Sequence, residues 1–166
     1  ALLPLIHSDQ KKAIEMAKEV LNAFPAIYQQ YWKEMMRHKL GLQNEMNGDL
    51  NIIEDLLVWM HKNNADYTLT FYKLAHNTLQ DDPAYQDENF ITWLHKWKER
   101  IHAEGSTPEE AGNIMQKSNP VYIPRNHKVE EALLAAADQQ QFEPLETMLE
   151  LVKSPYEERP EYESYK

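Results

Sequence analysis

The sequence predicts an all-α protein: an irregular bundle of about seven or eight helices with an extended acidic C-terminal tail. Three observations predict it. Apolar residues recur at i, i+3 and i+4 through most of the chain, and helix start and stop residues punctuate these stripes at short intervals. No stretch alternates apolar with polar residues over a useful length, as a half-buried strand would. The stripes differ in length and spacing, which argues against a solenoid of roughly 33–47-residue repeats. The expected organisation is one helical domain over 1–152 and a tail over 153–166.

The elements follow in order. Ser8 or Asp9 can cap a first long helix whose stripe is Ala13, Met16, Ala17, Val20, Leu21 and Phe24. Pro25 suits the first turn of a second helix, with Tyr28, Tyr31, Trp32 and Met35 facing inward and Gly41 ending it in the left-handed region. Asn47-Gly48-Asp49 reads as a turn, with Asp49 as the cap of a helix carrying Ile53, Leu56, Leu57 and Met60, stopped by Asn63-Asn64. Asp66 can cap a helix with Tyr67, Phe71, Leu74 and Ala75, closed by Asp81-Asp82-Pro83.

A longer helix from near Asp87 to His102 aligns Phe90, Leu94, Trp97 and Ile101, with Trp93 beside them, and Gly105 ends it. Thr107-Pro108-Glu109-Glu110 is a capping box with proline at the first helical position, opening a helix with Ala111, Ile114 and Met115. Two prolines bracket residues 118–125, which read as an ordered, extended loop. Val129, Ala132, Leu133 and Ala136 mark a further helix; Leu145, Met148, Leu149 and Val152, after Pro144, mark the last.

Composition narrows the chemistry. At 166 residues with 42% hydrophobic side chains, the chain has material for a core. Without cysteine it has no disulfide framework, thiol nucleophile or Cys-based zinc or iron–sulfur site. Its 4 glycines stand singly, so no glycine loop can cradle a phosphate. A net charge of −10 without a basic stripe argues against nucleic acid or an anionic membrane as partner. No apolar run approaches the ~18–20 residues of a membrane-spanning helix. The apolar start, Ala1 to Ile6, has no basic leader; it reads as a processed end or, the reading that weighs more, as an edge left by cutting the chain from something longer.

Candidate sites are few. His95, Glu99 and His102 share one helix face, but that face lies opposite the apolar stripe and reads as solvated; no His-Glu-x-x-His motif occurs, so no metal site is expected. Glu54-Asp55 and Asp81-Asp82 read as exposed charge or capping rather than an acid–base pair. No serine lies in a Gly-x-Ser-x-Gly context, and Trp32, Trp59, Trp93 and Trp97 belong to core stripes. Catalytic residues are therefore not expected. Arg125 and Asn126 are the candidates for cofactor binding: Asn126 could cap the next helix, and Arg125 beside a helix start could clamp a carboxylate or phosphate. The competing reading of Arg125, which weighs more, is a salt bridge that pins the loop.

Four segments go beyond helical grammar. Tyr31 to Leu42, ending Lys39-Leu40-Gly41-Leu42, resembles the "M…KLGL" signature of the selenoprotein O family, also called YdiU. Ala65 to Phe71 resembles its "DYTNTF" segment, Asn119 to Asn126 its "NPKYVLRN" segment, and Ser154-Pro155-Tyr156-Glu157-Glu158 its "PY/PF-x-E" stretch. Leu2-Leu3-Pro4-Leu5 fits the "L-x-PL" that precedes them, and order and spacing agree along nearly the whole chain. Leu69 stands where the family usually has Asn and Pro124 where Leu is common; both leave the resemblance intact but argue against a polar role at those two positions.

The resemblance implies a protein-kinase-like (pseudokinase) fold that binds ATP with magnesium and transfers AMP to protein hydroxyls. The family's nucleotide- and metal-holding motifs precede the segments matched here, so the chain corresponds to the C-terminal helical region and is expected to bind no cofactor itself. Its expected partners are the N-terminal kinase-like region and the enzyme's protein substrates. The implied location is the bacterial cytoplasm, or the mitochondrion in a eukaryote. The alternative is a free-standing helical binding module without catalysis, suggested by the caps and by two acidic stretches: residues 43–92 hold 9 acids and 2 bases, and 129–166 hold 10 and 3.

Overall fold

A computed structural model describes residues 2–166; Ala1, the first residue of the apolar start, lies outside them. Among the described residues every regular element is helical. The chain divides into two compact units, one ending at Met36 and one running from Arg37 to Lys166.

In the first unit, α1 is a single turn, Leu3–Ile6, followed by the long α2, Gln10–Lys39. Asp9 starts α2 by accepting from the backbone N–H of Lys11 (2.8 Å) and Lys12 (3.2 Å), as the sequence suggests. The expected second helix at Pro25 does not exist: α2 runs through Pro25 without a break. The apolar stripe keeps its phase across the proline, which removes one N–H from the helix ladder and crowds the carbonyl four residues back without ending the helix. The stripe is also not a core. Val20, Leu21, Phe24 and Tyr31 are 71%, 70%, 61% and 65% exposed, and Met16, Tyr28 and Met35 are exposed as well. Leu2, Leu3, Ile6, Met16, Ala17, Val20 and Leu21 line an open apolar cleft between α1 and α2.

The second unit holds α3 (Asp49–Asn63), α4 (Tyr67–Ala75), two 3-10 turns (Leu79–Asp81 and Pro83–Gln86), α5 (Glu88–Ala103), α6 (Pro108–Ser118), α7 (Asn126–Gln139), α8 (Glu143–Lys153) and a 3-10 segment over Pro160–Tyr165. Two helix pairs make its core. Ile53, Leu56, Trp59 and Met60 of α3 and Phe90, Trp93, Trp97 and Ile101 of α5 are buried where these helices pack. Phe71, Leu74 and Ala75 of α4 meet α6, which buries Ala111 and Met115. Trp59, Tyr85 and Phe90 form an aromatic centre with ring centroids 4.6–5.5 Å apart. Each buried indole N–H has an acceptor: Trp59 donates to Asp87 (2.7 Å), Trp93 to the Ile52 carbonyl (2.8 Å) and Trp97 to the Leu40 carbonyl (2.9 Å).

Helix starts follow the sequence at Asp66, Asp87 and Thr107, whose side chains accept from the N–H groups of Leu69, Phe90 and Glu110; the capping box at Thr107 is complete. Asp49 departs from expectation. Gly48 occupies the cap position, and the Asp49 carboxylate, buried, takes the Arg100 guanidinium instead. Leu133 and Leu149, read as core, are exposed on α7 and α8. The tail packs Tyr162 and Tyr165 against Val121, Tyr122 and Leu151. No helix among the described residues is long and apolar enough to cross a membrane.

Candidate functional site

The last three segments singled out in the sequence and the end of the first, from Arg37 to Leu42, meet in the second unit. At the first, Gly41 turns the chain with φ +71°, and Leu40 and Leu42 are fully buried on either side. The last turn of α2 carries Lys39, whose Nζ donates to Asn119 Oδ1 at 3.0 Å and stands 5.4 and 5.2 Å from the ring centres of Tyr67 and Phe71. Asn119 returns the contact: its Nδ2 donates to the Lys39 carbonyl and to the Met115 carbonyl, both at 2.9 Å. Burial holds the Lys39 ammonium below the ordinary lysine pKa. The aromatic faces and the Asn119 oxygen stabilise the ammonium against that burial.

The second segment enters through Asp66. One oxygen caps α4 by accepting from Leu69 N–H at 2.8 Å, and the carboxylate also takes Arg125 through two nitrogens at 2.8 and 3.4 Å. The Arg125 hydrogen bond, with the Leu69 N–H adding to it, keeps the Asp66 carboxyl below the usual carboxylate range despite partial burial.

The third and fourth segments are stitched backbone to backbone. The Pro155 carbonyl accepts from Val121 N–H (2.7 Å) and Tyr122 N–H (3.2 Å). Tyr122 Oη donates to the Arg159 carbonyl at 2.7 Å and accepts from Arg159 N–H at 2.9 Å. Arg125 Nε donates to the Lys166 carbonyl at 2.9 Å. Lys166 Nζ reaches Glu158 (2.6 Å), Glu163 (2.7 Å) and Tyr72 Oη (3.1 Å), and Tyr72 Oη in turn donates to Glu158. Burial alone would lower the Lys166 pKa, but these anionic and hydroxyl partners raise it above the ordinary value. Lys166 and Tyr72 together pull the Glu158 carboxyl down.

Arg125 is thus a carboxylate clamp, and the carboxylate it clamps is Asp66 of the same chain, as the salt-bridge reading has it. Asn126 is not the cap of α7. Arg125 occupies that position with extended backbone and no side-chain cap, and Asn126 is the first helical residue, exposed. Arg125 keeps an extended backbone (φ −63°, ψ 131°), so the helix begins one residue later, at Asn126. The arrangement ties cations to anions and carbonyls and holds the two ends of the 119–125 loop.

The other sequence candidates lie apart. His95, Glu99 and His102 are exposed on α5; Glu54 and Asp55 are exposed on α3, with Asp55 3.4 Å from Lys96. Asp82 caps the second 3-10 turn through Ala84 N–H and pairs with Lys73. One cluster went unread. Arg100, buried on α5, holds Asp49, Glu104 and the Asn44 carbonyl. The signal was its phase: Arg100 falls three residues after Trp97 and one before Ile101, inside the apolar stripe.

A family model described as "Protein adenylyltransferase SelO" matches residues 2–153. Similar proteins include three named "Protein nucleotidyltransferase YdiU". That of Syntrophotalea carbinolica is 40% identical over 99% of this chain. Those of Nitrosococcus oceani and Halalkalibacterium halodurans are 39% and 38% identical over 100% and 99% of it. In each case this chain spans 34% of the relative's length.

Proposed function

This chain belongs to the SelO family of protein adenylyltransferases, and from that membership we propose that it is the helical frame of an enzyme that transfers AMP from ATP to protein hydroxyls. The nucleotide and its magnesium are held by the part of such a protein lying outside these 166 residues, which corresponds to the kinase-like region. The frame works in the cytoplasm of a bacterial cell or, in a eukaryote, in the mitochondrion; the relatives compared are bacterial. It takes protein substrates rather than nucleic acid or membrane.

The observation that carries the reading is the outer face of α2. Val20, Leu21, Phe24, Ile27, Tyr28 and Tyr31 make a continuous exposed apolar stripe, far larger than the single exposed side chains ordinary on a protein surface. A face of this kind needs a partner, and the remaining two-thirds of a SelO-type protein supplies one in the same chain. The engagement of Arg125 with Asp66 and the Lys166 carbonyl supports the same division of labour, because that guanidinium is already committed to holding the frame.

Two measurements test this. In the full-length protein Phe24→Glu should lower the melting temperature by a few degrees, since burying a phenylalanine contributes ~2 kcal/mol. In residues 1–166 alone the same change should leave it within about a degree, because the ring is already in water. Equal shifts in both would overturn the docking role. Calorimetry of residues 1–166 with ATP and magnesium should give no heat of binding; micromolar affinity would overturn the assignment of the nucleotide to the other part.

A further inference from the structure

The segment 155–166 reaches α4 at two places. Through Arg125, the Lys166 carbonyl is tied to Asp66, the cap that starts the helix. Through Glu158 and Lys166 Nζ the segment holds Tyr72, and beside Tyr72 it meets His76, the C-cap.

The two oxygens of Glu158 have different company. Oε1 takes both Tyr72 Oη and Lys166 Nζ. Oε2 stands 3.6 Å from His76 Nε2, an ion-pair separation and too long for a hydrogen bond. On the other side of the ring, His76 Nδ1 lies 2.8 Å from the Tyr72 carbonyl oxygen. A carbonyl only accepts, so Nδ1 carries a hydrogen in either charge state. The imidazole, whose centre is 4.1 Å from that of the Tyr72 ring, is thereby held in one tautomer. The proton that His76 gains or loses is the one on Nε2, and it points at Glu158.

Charge at that atom reverses the contact. Without the proton, the Nε2 lone pair faces a carboxylate oxygen, and neither can donate. With it, imidazolium faces carboxylate as an ion pair, at a helix C-terminus where a cation is favoured. Glu158 stays anionic, because Lys166 and Tyr72 pull its carboxyl below the usual range. The other charges nearby are engaged or offset. Lys166 pairs with Glu158 and Glu163, and Lys73 of α4 itself with Asp82. The recess that His76 borders carries Lys98 of α5 and Glu109 of α6, one charge of each sign. The first 3-10 turn faces that recess with Leu79 and Gln80, which do not titrate.

We propose that residues 155–166 are a proton-gated strap: a proton on His76 Nε2 tightens their hold on α4, and its loss loosens it. The strap is firmer toward about pH 5 and slacker toward about pH 8, the interval in which histidine side chains change charge. Lys166 and the bonds between Tyr122 and Arg159 keep it in place in both states, so its grip is graded rather than all-or-none. Because the strap's end also anchors Arg125, slackening reaches the Asp66 cap at the opposite end of α4. Nothing in this gate depends on a nucleotide or on AMP transfer.

Hydrogen exchange read by mass spectrometry tests the strap in the full-length protein at about pH 5.5 and about pH 8, with labelling times scaled to the intrinsic exchange rates. Peptides spanning 155–166 should be about threefold better protected at the lower pH, the size expected of a partly exposed ion pair, while peptides of α3 keep the same protection. His76→Gln should abolish the difference and leave the strap at the parent's higher-pH level. The other histidines, His127 at the start of α7 among them, are intact in this variant, so a pH dependence that survives in it would overturn the gate. Equal protection at the two pH values in the parent would overturn it as well. Glu158→Gln supplies a second readout. The titration midpoint of His76, followed by NMR through isotope-labelled Cε1, should fall relative to the parent, and an unmoved midpoint would show that the Nε2 proton does not sense Glu158 and would sink the proposal.

Discussion

Gly41 is held by two constraints at once. Its φ is +71°, and a methyl group there would stand 2.5 Å from the carbonyl oxygen of Ala111, a backbone atom that cannot swing aside. Gly48 also has positive φ, +98°, but nothing lies within 4 Å of the added carbon. Urea denaturation should therefore separate the pair: Gly41→Ala costs ~3 kcal/mol or more, and Gly48→Ala ~1 kcal/mol from backbone strain alone. Equal losses would show that the close approach to Ala111 is unimportant. The Asp66–Arg125 pair makes a prediction in pH. The folded state lowers the Asp66 pKa, so its contribution is present above the ordinary carboxylate value of about 4 and is lost as pH falls through the depressed one. Arg125→Ala should cost about 1 kcal/mol at neutral pH, because the pair is partly exposed, and should flatten the stability curve below pH ~4. An acid limb identical to the parent's would show that Asp66 is not held by Arg125.

At the scale of the element, α2 shows where sequence reasoning runs out. The first helical turn is proline's commonest helical position and apolar stripes usually face a core, so the sequence predicts a helix start at Pro25 and a buried stripe on either side of it. Both inferences lack what the sequence does not contain, namely whether something else covers that face. Pro25 lies inside α2, so Pro25→Ala restores one N–H that can bond the Leu21 carbonyl and removes a residue ~3 kcal/mol poorer than alanine in a helix interior. Hydrogen exchange across residues 21–29 should slow markedly in this variant. Unchanged exchange would mean that the helix is already open around the proline. The helices with polar caps were legible by contrast, because Asp66, Asp87 and Thr107 act on backbone N–H groups only three residues away. Asp49 misled for the same reason in reverse. Its partner, Arg100, is distant in sequence, and no local rule can rank a distant arginine above a neighbouring N–H.

At the scale of the molecule, the fold class was legible because periodicity and caps are local, whereas the site was legible only through its motifs. Composition gave no hint that Lys39, Asp66, Asn119 and Arg125 would meet, yet each lies in a segment whose order along the chain already marked it. The Asp66–Arg125 pair adds a consequence for ancestry. Asp66 serves two masters, the α4 backbone and Arg125, and only a short acceptor can serve the first. Arginine at 66 could not cap the helix, so the pair is polar in the sense of having a direction. Aligned descendants should lose the two residues together, or replace Arg125 while keeping a capping Asp, Asn, Ser or Thr at 66. A lineage in which the acid and the base have traded places should not occur.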